Sequence, residues 1–358
     1  MKHTKIFCKT KLRRLYSGLI GALLCVAMLL PLSGCGESRM SQAQISAMDT
    51  VITLTAYGKN REAGIAAAEN IISSLDGMLD PELPTSTVYS INHANGQMVV
   101  ISGQVAEMLS TASLVYKQSG GALDLSIYPL IKRWGFVDGK YYVPTDEEIS
   151  AEMAKFGFDQ MVLSSFPSSG SYSVKFPIGT QISFASMARG CAAENAVSAM
   201  KQAGVESGII AMSGNIQTVG LKPDGTNWTV AIQDPNIPDN YLGVISVGET
   251  AVVTSGSYQR TFTDMRGKTY HHLFNPSSGY PVSNSLRSVT VICEDGTMAD
   301  ALSTCMCILG ETRALNYWRT YGGFEMILVT NDNRVVCTSG LIEQVTLSND
   351  NYVLSFSE

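Results

Sequence analysis

The chain lacks a Gly-x-Gly-x-x-Gly dinucleotide fingerprint and a phosphate loop ending in Gly-Lys-Ser or Gly-Lys-Thr. Two common ways of seating a nucleotide phosphate on a strand-to-helix turn are thereby set aside. Histidine is scarce, with only His93, His271 and His272 beyond the first 35 residues. Cysteine gives no disulfide framework. Three of the eight (Cys8, Cys25, Cys35) fall in the first 35 residues, and the other five form an odd set: Cys191, Cys293, Cys305, Cys307 and Cys337. Cys305-x-Cys307 has no histidine at ligand spacing, which argues against zinc, so the five read as small buried apolar residues. Beyond residue 32 no apolar run is long enough to cross a bilayer.

What is present begins with an address. Lys2, Lys5, Lys9, Lys11, Arg13 and Arg14 make a basic leader without an acid, followed by an apolar stretch from Leu15 to Leu32. That order reads as an export signal. Leu32-Ser-Gly-Cys35 resembles a bacterial lipobox, with Cys35 as the lipidated residue. The expected layout is a signal peptide over 1–35, a polar tether over 36–47 and one domain over 48–358, held outside the cytoplasm on the cell membrane. Without the leader, 19 basic residues face 31 acidic ones, a net charge of −12. Such acidity argues against nucleic acid or an anionic surface as the main partner.

Strands and helices alternate without a repeat. Val51 to Tyr57 alternates like a half-buried strand, Arg61 to Leu79 and Val105 to Gln118 have helical periodicity, and Ala192 to Gln202 reads as a third helix. The second half is richer in strands, at Gly208 to Met212, Trp228 to Gln233, Val244 to Val247, Ser288 to Cys293, Glu325 to Thr330 and Glu343 to Leu347, interrupted by helices Met298 to Leu309 and Thr312 to Tyr321. Segregated elements of this kind predict α+β layers.

The most informative segment is Thr297-Met-Ala-Asp-Ala-Leu-Ser-Thr304. Asp300 and Thr304 stand four apart, so a helix aims both oxygens the same way. A carboxylate beside a hydroxyl is hard-oxygen chemistry suited to Mg²⁺ shared with phosphates. Two simpler readings stay open: Asp300 answering the helix dipole, and Thr304 bonding back to the Asp300 carbonyl. His272 is the best general base, and only one of His271 and His272 can face a given site if the backbone is extended. Arg189, before a helix, suits a phosphate or simply solvent. Asp124, in the block Gly120 to Phe136, suits a ligand donor or a turn cap. Ser213-Gly-Asn215 ends an apolar strand, and the hydroxyls and Arg260 of the run Val253 to Arg260 suit binding or catalytic support; strand ends also carry such residues for turning alone.

Taken in order, Met48-Asp-Thr50, Ser90-Ile-Asn92, Gly121-Ala-Leu-Asp124 with Pro129-Leu130 and Trp134-Gly-Phe136, Arg189-Gly190 with Ala192-Ala193, Ser213-Gly-Asn215, Thr254-Ser-Gly-Ser-Tyr258, His272 to Val282 and Ala299-Asp-Ala-Leu-Ser-Thr304 resemble the FAD:protein FMN transferase family, ApbE-like flavin-trafficking lipoproteins. The resemblance implies mixed and antiparallel sheets with packed helices, related to the T-fold. It also implies that FAD is cleaved at its pyrophosphate with Mg²⁺, AMP leaves, and FMN is esterified to a Thr or Ser of an acceptor protein. It places the metal on Asp300, Thr304 and Ser186, with Ser303 beside it. Flavin contacts fall on Met48, Ala122, Leu123, Asp124, Phe274 and a position near Glu82, and the histidine beside the reacting phosphate falls on His272. Ser183 stands where the family commonly has an acid in contact with the adenosine half of FAD. Arg189 replaces Lys or Glu, Cys191 a tyrosine and Asn275 an aspartate. An FAD pyrophosphatase on the same site, and a non-catalytic FAD-binding lipoprotein, are the alternatives.

Overall fold

The computed structural model describes residues 39–358 except 167–169 and 238; the leader and Cys35 lie outside the described residues. A nine-stranded sheet organises the domain, and its strands lie side by side in chain order. They are β1 (Met40–Ala47), β2 (Thr50–Tyr57), β3 (Gly208–Met212), β4 (Asn215–Val219), β5 (Ala251–Gly256), β6 (Leu286–Cys293), β7 (Glu325–Thr330), β8 (Arg334–Thr338) and β9 (Val353–Ser357). All neighbours are antiparallel except β8 and β9.

The central strands bury both faces, so they read as unbroken apolar runs instead of alternating ones. Met326 and Leu328 of β7 face the main core, while Ile327 and Val329 join a second cluster with Trp228, Val230 and Ile245. That second cluster lies under a three-stranded sheet, Trp228–Gln233, Tyr241–Val247 and Val345–Leu347. The main core lies under helices α1 (Arg61–Leu79), α2 (Gly103–Ser119), α3 (Ala188–Gln202), α4 (Gly296–Leu309) and α5 (Glu311–Tyr321). A third cluster, Leu130, Trp134, Phe136, Ile149, Tyr270 and Phe274, joins the block after α2 to the segment after β5.

Helix α4 determines where the site lies. Asp295 caps it by accepting from the Met298 amide at 2.7 Å, and Gly310 (φ 76°) ends it. Its residues are buried on almost every side because α4 is held between β5, β6 and the other helices. Leu302 and Met306 are at most 2 % exposed, and each contributes about 1.5–3 kcal/mol by burial. That offsets part of the cost of placing Asp300 and Ser303 in the same interior.

The fold class and most elements agree with the sequence reading, but the tether does not. Residues 40–47 are strand β1, paired with β2 over its full length from Met40↔Tyr57 to Ala47↔Thr50. Only Ala47 is fully buried in β1, and Ala43 and Ile45 are half-buried against the main core, so beside its backbone hydrogen bonds the strand has only a short apolar face. The stretch 141–176 holds a helix, Asp146–Met153, and strands Val162–Phe166 and Ser171–Lys175. Strand Val345–Leu347 is shorter than expected, and Arg189 lies inside the first turn of α3.

A chain starting at Met48 should therefore be less stable than one starting at Arg39. We expect its Tm to fall by about 5 °C or more, with increased self-association along the uncovered β2 edge. Equal melting of the two truncations would show that β1 is dispensable to the domain.

Candidate active site

Helices α3 and α4 meet through glycine. A Cβ on Gly190 would lie 2.1 Å from the Gly296 carbonyl oxygen and 2.6 Å from Asp300 Cβ. The bare backbone brings the Gly190 amide to 2.8 Å from Asp300 Oδ2. Asp300 is 2 % exposed. Burial pushes its carboxyl above the usual range, while the Arg189 guanidinium and the amides of Gly190 and Arg189 favour the charged form. The first turn of α3 thus presents its positive end to a buried acid.

The neighbouring hydroxyls have different tasks. It is Ser303, not Thr304, that bonds back to the Asp300 carbonyl, at 2.9 Å, and Ser303 Oγ also lies 2.8 Å from Ser255 Oγ. Thr304 Oγ1 is 3.3 Å from Ser255 Oγ, and Thr304 is half-buried one turn from Asp300. Ser186 is half-buried on the turn that opens α3. Ser303 is fully buried, so its hydroxyl braces the Asp300 turn from beneath.

The two histidines separate as their alternation requires. His271 Nε2 lies 3.0 Å from the Val282 carbonyl, and its Nδ1 accepts from the Leu273 amide at 3.3 Å. It fastens the 271–282 segment to itself. The His272 amide donates to the Arg260 carbonyl at 3.2 Å. Burial first, then the charges of Arg260, His271 and Arg189, push the His272 imidazole down to about 3. Arg189 therefore acts on both groups, favouring an ionised Asp300 and a neutral His272.

Among the described residues, seven side-chain nitrogen or oxygen atoms are shielded from solvent with no hydrogen-bond partner. Three of them, Arg189 Nε, His272 Nδ1 and Asn215 Nδ2, belong to this region. Unsatisfied buried polar atoms are uncommon in a stable interior, and a cluster of them is a place where a bound water, an ion or a ligand would complete the bonding.

The positions expected to touch flavin are more dispersed. Met48 and Asp49 form a left-handed turn (φ 52° and 59°), and the Met48 amide donates to Asp76 Oδ1 at 2.9 Å. Ala122 and Leu123 are buried, with their amides donating to Ser119 Oγ. Asp124 Oδ1 accepts from the Ser126 amide and hydroxyl at 2.7 and 2.6 Å, the capping alternative. The Ser183 amide donates to the Leu125 carbonyl at 3.1 Å, joining this loop to the approach to α3. Ser183 Oγ accepts from the Ala185 amide at 3.2 Å. Glu82 is held by Lys132 at 2.7 Å and by the Tyr128 hydroxyl. The Phe274 ring is 2 % exposed, 5.4 Å from Trp134, and packs in the aromatic cluster. Asn275 accepts from the Ser277 amide at 2.9 Å and so keeps its turn.

Two cavities of about 180 and 560 Å³ are lined by other residues, among them Asn92 and Gln181 for the smaller and Lys132, Arg133 and Lys155 for the larger. Sequence reasoning gave Gln217 no role and placed Ser255 only among hydroxyls suited to binding or catalytic support; both are buried and bond to the α3 backbone or the α4 hydroxyls. All five cysteines are buried and free, as expected.

Among the described residues no group of three or more His, Cys, Asp or Glu side chains is arranged to hold a metal. The donors gathered here are one carboxylate and hydroxyl oxygens. That set fits a hard cation which takes its remaining ligands from water and substrate phosphates.

Fold and site together define an α+β protein with a polar centre wedged between two helices and a central sheet. The ApbE family profile matches residues 48–328, and the chain belongs to that family. It is 27 % identical to an FAD:protein FMN transferase of Treponema pallidum, over 94 % of this chain and 97 % of the relative. A second FAD:protein FMN transferase, from Vibrio cholerae, is 27 % identical over 82 % and 89 %. The crystal structure of the Pseudomonas stutzeri flavinyl transferase ApbE, in its apo form, superposes with a TM-score of 0.73 at 27 % identity, covering 83 % of this chain and 93 % of that one. The ApbE protein of Thermotoga maritima shares the fold with a TM-score of 0.75 at 24 % identity, over 82 % and 94 %.

Gly190→Ala should force α3 from α4 and lower stability by about 1–3 kcal/mol. Gly77→Ala in α1, where a Cβ meets nothing within 4 Å, should raise it by up to about 1 kcal/mol. Denaturant melts of both decide this; an unperturbed Gly190→Ala would refute the close approach.

Proposed function

We propose that this chain is an FAD:protein FMN transferase. A Thr or Ser hydroxyl of an acceptor protein attacks the FMN phosphorus of FAD. The new P–O bond forms as the bond to AMP breaks, and AMP leaves with the bridging oxygen. The observation that carries the reading is the unpartnered Nδ1 of the buried His272 imidazole, which feels the charge of Arg189, as does the buried carboxylate of Asp300. Family membership supplies the chemistry that such a group serves.

His272 takes the proton of the incoming hydroxyl. Arg189 and Arg260 keep it neutral and ready to accept, and the arriving pyrophosphate offsets their charge, which raises the basicity of the imidazole as substrate binds. Asp300, Thr304 and Ser186 would hold Mg²⁺, with Ser303 fixing the turn that carries the first two. When bound, Mg²⁺ supplies neutralisation of pyrophosphate charge. Met48, Ala122, Leu123 and Asp124 contact the flavin, with Glu82 at its margin and Phe274 supporting from the aromatic cluster. Ser183, whose hydroxyl is turned to its own backbone, contributes less to the adenosine half than a carboxylate does. The basic leader and Leu32-Ser-Gly-Cys35 support a lipid anchor at Cys35 and an acceptor outside the cytoplasm.

The test is mass spectrometry of an acceptor domain incubated with the protein, FAD and Mg²⁺. We expect the acceptor to gain one FMN moiety, and to gain none when Mg²⁺ is chelated. Release of free FMN and AMP would replace the transferase with a hydrolase, and intact bound FAD would leave a carrier. His272→Ala should lower kcat by about 10²–10⁴.

The pH profile checks the environment of His272. Its proton affinity is depressed in the folded chain, so kcat/KM should show no loss from this group between pH 7.5 and 5.5. A limb near 6.5 would contradict that. The unfolded chain binds the proton near 6.5 and the folded chain near 3, so the contribution to stability falls as pH drops through that window. His272→Gln should flatten that part of the stability profile.

A further inference from the structure

The β3–β4 hairpin turns at Ser213 and Gly214, both at positive φ (35° and 85°), a two-residue turn whose twist matches the strands it joins. The Thr254 amide donates to the Gly214 carbonyl at 2.7 Å, which fixes the turn against β5. Asn215 is the first residue of β4, opposite Val253 of β5. By the two-residue period its side chain shares a face with Gln217 and, across the ladder, with Ser255. That face carries α3 and α4, because Gln217 bonds to Gly190 and Ser255 to Ser303.

The orientation of the Asn215 amide follows from its neighbours. Gln217 Nε2 donates to the Gly190 carbonyl at 3.0 Å and to Asn215 Oδ1 at 3.5 Å. A carbonyl accepts only, so the Gln217 nitrogen must face Gly190, and the Asn215 oxygen must face Gln217. Nδ2 of Asn215 therefore points away, and it has no partner although the residue is 1 % exposed. Unpaired buried donors cost free energy, and a residue serving packing alone would do better as an apolar one. Arg189 Nε, on the neighbouring turn of α3, is unpaired in the same way. Two unsatisfied donors, adjacent to a carboxylate suited to a cation, call for an anionic oxygen.

We infer that Asn215 contacts the substrate, its Nδ2 donating to a non-bridging oxygen of the pyrophosphate, and that it selects pyrophosphate-bearing nucleotides over flavins without one. This rests on the transferase reading of the same site. Both nitrogens are shielded and neither described cavity reaches them, so pyrophosphate seating is accompanied by a shift of the Arg189 side chain.

Calorimetric titration of the full chain in detergent, with Mg²⁺, tests this using FAD, ADP and riboflavin as probes. Asn215→Leu removes the donor at similar volume, and Asn215→Asp replaces it with a like charge. Both should weaken FAD and ADP by about tenfold or more while riboflavin affinity is unchanged. Tm should fall little for Asn215→Leu, because the lost donor had no partner and Gln217, deprived of the Asn215 oxygen at 3.5 Å, keeps its bond to the Gly190 carbonyl at 3.0 Å. Unchanged FAD and ADP affinity in either folded variant overturns the inference, as does an equal loss for FAD and riboflavin together with a lower Tm. If Asn215→Leu fails to fold, Asn215→Asp decides. An unsubstituted chain that neither binds nor turns over FAD overturns the transferase reading and this inference together; normal turnover with unaffected variants overturns the inference alone.

Discussion

The approach of α3 to α4 across Gly190 and Gly296 is the constraint on which the rest of the site depends. It brings a backbone amide to a carboxylate that is almost fully buried, and no side chain with a β-carbon fits at Gly190 without moving one helix. A buried carboxylate with amide partners is poorly compensated, since the loss of water costs several kcal/mol before any bond is regained. Ser303 and Ser255 stiffen the turn beneath it, and Gln217 holds the Gly190 carbonyl from the sheet side. The interior is thus arranged around an acid whose charge the protein alone does not balance. In the proposed reading, a cation arriving with its own phosphate ligands would restore that balance with a single protein carboxylate.

The opposite side of the same centre is arranged against positive charge. His272 stands under the influence of Arg189 and Arg260 and is held neutral by them and by burial. In the proposed reading, a polyanion bound beside these groups would relieve both mismatches at once, weakening the depression of the imidazole and answering the guanidinium. Substrate binding and the readying of the base would then be one electrostatic event. Phosphoryl-type transfer is well served by such a centre, because positioning and charge neutralisation do most of its work.

The sequence carried this unevenly. The i, i+4 pair Asp300 and Thr304 was legible because helical periodicity alone aligns it, and so was the division between His271 and His272, which follows from alternation. The inward apolar runs of β2, β3 and β7 announced themselves as strands. β1 did not, because its inward face is only Ala43, Ile45 and Ala47 between polar residues, and Met40-Ser-Gln-Ala-Gln-Ile-Ser-Ala47 reads as polar linker. Asp124 shows a different limit: accepting from a ligand and capping a turn use the same residue type in the same loop, and only the Ser126 contacts reveal that one oxygen is committed to capping. Gln217 was invisible because its value lies in reaching a carbonyl 27 residues earlier, a contact that no local pattern encodes.

That unevenness has a physical order. Charge neutralisation relies on groups whose chemistry is named by residue type, so Asp300, His272 and Arg189 stand out in sequence. Orientation relies on small or amide-bearing residues, Gly190, Gly296, Asn215 and Gln217, whose contribution is the backbone they expose or the carbonyl they reach. Such residues are chosen by distances between elements remote in the chain. A substitution that keeps the reactive side chains and alters this second group changes where the charges point without changing what they are. Ser183 belongs to the same group: its hydroxyl closes a local turn with Ala185, and that contact shapes the approach to α3.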